Sequence, residues 1–399
     1  MLRQGWIVLA ACFFVMFGVW NAHAAFGVFL PILSLEFGWS RGAISLAASI
    51  NLIVGGVIAS FVGAASDRYG PRPVLALSSF VVGLSYFLVS MVDSLWSFYL
   101  ALGVVIGVGM AGIYLVPTST VSRWFEEQRG LALGILLAGL NLTLITGAPI
   151  AAFLISNFGW RTSYFVLGAL VWAIAIPASL VTKSPPRAEG SQRAAHQSFE
   201  GGATFKEALR DGRLWLIGTA WLLLGFTHMM MAIHVVSYVK DRGVTLESAS
   251  VALVILGAGV TIGRIVLGAA ADRVGTKQTF RFCLVGQIVA LAWMLTGPSL
   301  SVLYVLIFWF GLGSAGSDTM VVKGAVEIFG TRSIGAVMGM LSFHWRLGGA
   351  LGPAVAGFIY DATGSYALAF GLAATSLAGS FVAFTLGISS LRHGPTAFR

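Results

Sequence analysis

Charge is the scarcest property of this sequence. Only 10% of its 399 residues are Asp, Glu, Lys or Arg, while 57% are apolar or aromatic and the mean hydropathy is +0.89. Soluble domains carry roughly a quarter charged residues, so a cytosolic enzyme is excluded. Cysteine is nearly absent as well. Cys12 and Cys283 lie in apolar stretches without His or Cys companions at ligand spacing, which removes a thiolate metal site and leaves them as packing residues. No Ser-His-Asp arrangement, metal cluster, P-loop or dinucleotide fingerprint occurs, so the chain has no enzymatic signature, calls for no cofactor or metal, and has no ATP motor of its own. The alternating ten-residue runs of a β-barrel are missing too.

What is present is a series of apolar runs long enough to cross a hydrocarbon core of about 30 Å. They fall near 6–33, 41–65, 73–92, 96–121, 131–156 and 162–182, and again near 214–239, 248–271, 279–297, 300–322, 333–359 and 366–388. The first imitates a signal peptide, with Arg3 ahead of it and small residues around Ala22 to Ala25, but it continues to Leu33 and reads as a span. A polar stretch from Lys183 to Arg213, with Pro185, Pro186, Gly201 and Gly202, separates the two sets. The expectation is therefore an all-α membrane protein of twelve transmembrane helices: a six-helix bundle over 1–182, a cytoplasmic connector over 183–213 and a second bundle over 214–399. The net charge of +9 suggests a polyanion, but about 18 of the 24 basic residues fall on one side if both termini and the connector share it. That is the positive-inside pattern of a multi-pass protein in a bacterial-type inner membrane with cytoplasmic termini, and it needs no nucleic acid.

The two sets are copies. Gly63-Ala-Ala-Ser-Asp67-Arg68-Tyr-Gly70-Pro-Arg72 returns as Gly268-Ala-Ala-Ala-Asp272-Arg273-Val-Gly275-Thr-Lys277, a shift of 205, and the same shift carries Gly130, Gly134 and Gly147 onto Gly335, Gly339 and Gly352. Duplicated halves of this kind place substrate near the midplane between them. The repeated segment ends the second and eighth spans, where its Asp and Arg residues (Asp67, Arg68, Asp272, Arg273) can latch neighbouring helices and favour one conformer, or simply form a turn with orienting charge.

The Gly-x-x-x-Asp-Arg-x-Gly-x-Arg signature, its degenerate copy and the six-plus-six plan resemble the major facilitator superfamily over essentially the whole chain. Phe37-Gly-Trp39-Ser40-Arg41, and Arg123-Trp124-Phe125 followed by Arg129-Gly130-Leu-Ala-Leu-Gly134, are similar to the monocarboxylate transporter and oxalate:formate antiporter branch. The first resemblance implies rocker-switch alternating access, with spans 1, 4, 7 and 10 lining a central cavity.

Ionisable residues inside spans are costly and mark function by default. Arg264 lies in the eighth span, about two turns before Asp272 of the repeated motif, and Arg346 lies mid-way along the eleventh. A guanidinium cannot be neutralised at physiological pH, and its planar fork of donors suits a carboxylate. The branch resemblance implies a functional arginine in the eighth span and, in oxalate carriers, a second cation in the eleventh; Arg264 and Arg346 stand there. The alternative is that each caps carbonyls or pairs internally. Asp318, in the tenth span, decides the charge of the site: paired with an arginine it leaves about one net positive charge for a monocarboxylate, unpaired it leaves two for a dicarboxylate. It can also pair with Lys323 on its own helix.

The shift of 205 relates His23 to His228 and Asn141 to Arg346. His234 follows His228 by six residues and does not share its face, so only one of them should point fully into a cavity. The repeat favours His228, the branch resemblance His234. A cavity histidine titrates near neutral pH and can carry a proton with the anion, or it can merely join helices. Tyr114 precedes Pro117 by three residues and resembles a tyrosine of bacterial monocarboxylate carriers, where a phenol donates to the carboxylate. Asn141 either bonds substrate or ties helices together.

The expected function is secondary transport of a small organic carboxylate, with Arg264 and Arg346 as anion anchors and proton symport or anion exchange as the coupling. Partners are then a small anion, protons and lipid, and the expected state is a monomer. The rivals are a drug or metabolite exporter, which would tolerate loss of Arg264, and a carboxylate sensor, for which a connector of about 30 residues is too short to hold a signalling domain.

Overall fold

The computed structural model describes residues 2–125, 128–184, 203–330 and 334–389. Most of the connector thus lies outside the described residues, as do both chain ends. Twelve long helices fill the rest. They are α1 (Leu2–Ala24 and Phe26–Phe37), α2 (Arg41–Tyr69), α3 (Pro71–Ser90), α4 (four pieces over 95–124), α5 (129–158), α6 (160–181), α7 (Gly212–Lys240), α8 (Leu246–Val274), α9 (Thr276–Met294), α10 (Leu300–Phe329), α11 (Ile334–Thr363) and α12 (Ala367–Ser389). Among the described residues, nine stretches are long and apolar enough to span a bilayer by length and composition alone. One of them, Ile145–Val181, contains the turn at Gly159 (φ 77°) that divides α5 from α6. That division, with α9 and α11, completes twelve.

Local chemistry sets the ends. Ser40 caps α2 by accepting the Ala43 N–H, and Gly70, at φ 87°, closes it so that Pro71 can open α3. Pro117 lacks an amide hydrogen and crowds the carbonyl four residues back, and α4 breaks accordingly at Tyr114 between Ile106–Ile113 and Leu115–Trp124. A short helix, Phe205–Arg210, carries a Thr204–Glu207 capping box ahead of α7. Asp211 then takes both the backbone N–H and the guanidinium of Arg213. Burial pushes that carboxyl up, and the bonds from Arg213 outweigh burial, leaving it below its ordinary value.

The duplication is visible in packing. A Cβ at Gly147 of α5 would stand 2.5 Å from the Asn21 carbonyl oxygen of α1; its copy Gly352 of α11 closes on the carbonyl of Phe226 in α7, the copy of Asn21. The α2–α4 crossing repeats with the glycine exchanged. Gly107 of α4 meets Val54 of α2, while their copies are Leu312 of α10 and Gly259 of α8. Close backbone approach drives helix association where lipid removes the hydrophobic difference between helix and solvent.

Contacts divide the chain into two compact units. The first holds Met1–Pro186 with Ala232–Gly257 and Pro353–Gly364; the second holds Arg187–Met231, Ala258–Gly352 and Ser365–Arg399. The last turns of α7 and α11 and the start of α8 therefore pack with the first six helices.

Candidate functional site

In the second unit, α7 presents Trp221 and His228 seven residues, two turns, apart and hence on one face. Asp318 of α10 meets both. Its Oδ1 accepts the Trp221 indole N–H at 2.9 Å, and its Oδ2 lies 3.6 Å from His228 Nδ1. From α9, the Gln287 amide oxygen stands 3.0 Å from His228 Nε2, and the Gln287 amide nitrogen donates to the Cys283 carbonyl at 3.2 Å and to Ser317 Oγ at 3.5 Å. The ring of Phe310 stands edge-on to the imidazole at 6.0 Å. The His228 side chain is 9% exposed and that of Asp318 27%. Asp318 is not drawn to Lys323, five residues along its own helix. Lys323 Nζ instead binds Asp272 Oδ1 at 2.5 Å, because a five-residue step points the two side chains to different faces.

The other expected residues stand on α1, α4, α5, α7, α8 and α11. Arg264 is exposed on α8, one residue beyond the Gly263 that closes on Leu312, and Arg346 is half-buried on α11. Tyr114 is exposed at the break in α4. His23 is half-buried, edge-on to Trp20 at 5.4 Å. The Asn141 side chain lies outside the described residues. His234 is buried in the first unit, its Nε2 within 2.8 Å of the Pro353 carbonyl and 3.1 Å of Ser45 Oγ. The two histidines of α7 thus belong to different packing units, His228 beside a carboxylate and His234 beside a backbone carbonyl.

At the motif ends the aspartates reach across helices rather than to the arginine beside them. Asp67 Oδ1 takes Arg123 of α4 at 2.6 Å, as Asp272 takes Lys323 of α10. Arg68 lies over the ring of its neighbour Tyr69, and Arg273 is exposed.

The sequence did not single out a second polar cluster, in the first unit. Arg41 forks onto Asp241 through Nη1 to Oδ2 at 2.7 Å and Nη2 to Oδ1 at 2.6 Å, and stacks 3.9 Å over the Tyr360 ring. The Asp361 carboxylate accepts the first two backbone N–H groups of α2, from Arg41 at 2.8 Å and Gly42 at 2.7 Å, which is the favourable place for an anion at a helix start. No spacing in the sequence signals the meeting of Asp241 and Asp361 with Arg41. Trp221 and Gln287 were equally silent, one among twelve tryptophans and the other an uncharged polar residue in a largely apolar run.

Comparison with known proteins agrees with this architecture. The profile of the Major Facilitator Superfamily matches residues 8–296 and 244–398. Among curated relatives, monocarboxylate transporter 13 of Bos taurus is 28% identical over 96% of this chain and 89% of its own length. Monocarboxylate transporter 11 of Homo sapiens is 27% identical over 95% and 82%, and the uncharacterized MFS-type transporter YcxA of Bacillus subtilis (strain 168) is 27% identical over 92% and 91%. Among solved structures, the nucleoside transporter NupG superposes with a TM-score of 0.78 at 13% identity, covering 96% of this chain and 99% of that one. A bacterial homolog of the human lysosomal transporter Spinster gives 0.69 at 17% identity, covering 97% and 95%.

Proposed function

The chain belongs to the major facilitator superfamily and is a multi-pass membrane transport protein rather than an enzyme, and from that premise we propose that it carries small monocarboxylates together with protons. Similarity along nearly the full length to transporters named for monocarboxylates is the observation that carries the substrate class. Two arginines within spans, Arg264 exposed on α8 and Arg346 half-buried on α11, agree with it, since a guanidinium stays charged at physiological pH and pairs with a carboxylate through two parallel hydrogen bonds. In this reading Arg264 is the principal anion anchor, Arg346 the second, and Tyr114, Asn141 and His23 supply polar lining.

The two halves, 1–182 and 214–399, rock about the substrate, and the connector and both termini lie on the cytoplasmic side of an inner membrane, where the basic residues concentrate. The pairs Asp67–Arg123 and Asp272–Lys323 tie helices at that side, and the Arg41–Asp241–Asp361 cluster ties α2 to the ends of α7 and α11 at the other. Such clusters act as latches when one conformer makes them and the other does not.

The test is counterflow of labelled lactate, pyruvate, oxalate and benzoate in proteoliposomes holding wild type or R264A. Wild type is expected to exchange a monocarboxylate, to accumulate it when the outside is acidic, and to lose that accumulation with a protonophore; R264A is expected to lose counterflow. An R264A protein that transports as well as wild type would remove the anchor and with it the physical basis for a carboxylate.

A further inference from the structure

The hydrogen bonds around His228 leave one place for one proton. The Cys283 carbonyl can only accept, so the Gln287 atom facing it is the amide nitrogen, and the Gln287 atom facing His228 is the amide oxygen. Ser317 agrees with this assignment, since its hydroxyl donates to the Ser314 carbonyl and is left to accept from Gln287. An amide oxygen cannot donate. His228 Nε2 therefore carries hydrogen, and in the neutral imidazole Nδ1 is the bare nitrogen.

That bare nitrogen is buried, has no hydrogen-bond partner among the described residues, and points at the Asp318 carboxylate 3.6 Å away. Two acceptors face each other across a gap too long for a hydrogen bond. A proton between them turns the repulsion into a charge-assisted N–H···O bond. The indole of Trp221 holds the other carboxylate oxygen at 2.9 Å, so Asp318 is steadied in position for it. Of the groups recorded on the ring, Gln287 from α9 and Phe310 from α10 are uncharged, and Asp318 is the charged one.

We propose that His228 and Asp318 form the proton-carrying site of this transporter, the travelling proton residing on His228 Nδ1 against Asp318 Oδ2. The inference rests on the proton-coupled reading above. Empty of its proton, the pair carries the negative charge of Asp318; loaded, it is neutral overall. A carboxylate enters a site relieved of one negative charge more readily, so the proton binds first and the half-saturating substrate concentration falls on acidification, by up to about tenfold per pH unit for one obligatory proton. Trp221 is a positioning residue, acting only through Asp318.

The experiment uses full-length wild type, H228N, D318N and W221F in proteoliposomes with labelled pyruvate. For each protein, accumulation driven by an inward pH gradient is divided by that protein's own counterflow at equal pH, so losses of folded protein cancel. Wild type is expected to accumulate several-fold, and H228N and D318N to fall to the value without a gradient. W221F is expected to keep accumulation with its pH midpoint moved upward, because a carboxylate that loses a donor holds the shared proton more tightly.

A wild type that exchanges no carboxylate refutes the carboxylate reading itself. A wild type that does, with H228N and D318N accumulating as it does, overturns the proton site alone. Counterflow abolished in both variants while they elute as intact protein also overturns it, by assigning the pair to substrate binding. Should neither fold, W221F decides, and an unmoved midpoint refutes the proposal.

Discussion

Replacing Asp241 by Asn keeps its size and removes its charge, so the fork of Arg41 loses its anion while Asp361 still holds the start of α2. Arg41 is only 11% exposed and Asp241 31% exposed, which makes the pair more than a screened surface contact and less than a buried one. A hydrogen bond to a charged group contributes about 1.5–3 kcal/mol, and we take about 2 kcal/mol here. At 1.36 kcal/mol per decade, the balance between conformers that keep and break the cluster then shifts by about 30-fold. Hydrogen–deuterium exchange reads it directly, because the Arg41 and Gly42 amides are bonded to Asp361 only while the cluster is closed. Peptides covering the start of α2 and the ends of α7 and α11 are expected to exchange about 30-fold faster in D241N, with α3, α9 and α12 unchanged. Faster exchange everywhere would mean lost stability rather than a released latch. A change below about threefold, the size of an exposed ion pair, would refute the reasoning.

Two further outcomes follow from packing and charge. In G348A the new Cβ meets the Leu222 backbone carbonyl, whereas Gly371 has open space around it, so G348A should lose about 1–3 kcal/mol and G371A should be neutral or gain up to about 1 kcal/mol. Thermal unfolding in detergent separates them, and a G348A as stable as wild type would deny the close α7–α11 approach. D67N and D272N remove carboxylates that are 65% and 75% exposed, so each should change stability by less than about 1 kcal/mol while slowing counterflow several-fold. A large loss of thermal stability, or an unchanged rate, would remove these pairs from the conformational cycle.

Much of the fold was legible before any coordinates, because membrane insertion and duplication are linear properties of a chain. Apolar length set the spans, and only the Gly159 turn and the charge-bearing α9 and α11 kept a hydropathy criterion from counting all twelve. The shift of 205 foretold that Gly147 and Gly352 would occupy equivalent places, and both close on a backbone carbonyl of the first helix of their half. The break at Tyr114 follows from Pro117 by backbone sterics alone.

The candidate site was legible as residue types but not as partnerships. His228, Asp318 and Arg264 stood out because titratable side chains are rare in spans. Which carboxylate a histidine meets depends on how α7, α9 and α10 rotate about their axes, and rotation is decided by summed packing along whole helices rather than by any local signal. The same holds for Arg41, Asp241 and Asp361, whose partners lie 200 to 320 residues apart. Sequence by itself determined the spans, the duplication and the scarcity that makes each buried charge meaningful, since these depend on composition and period. Tertiary structure alone decided that His228 Nδ1 faces Asp318 while His234 Nε2 faces the Pro353 carbonyl, since such pairings exist only once the helices are packed.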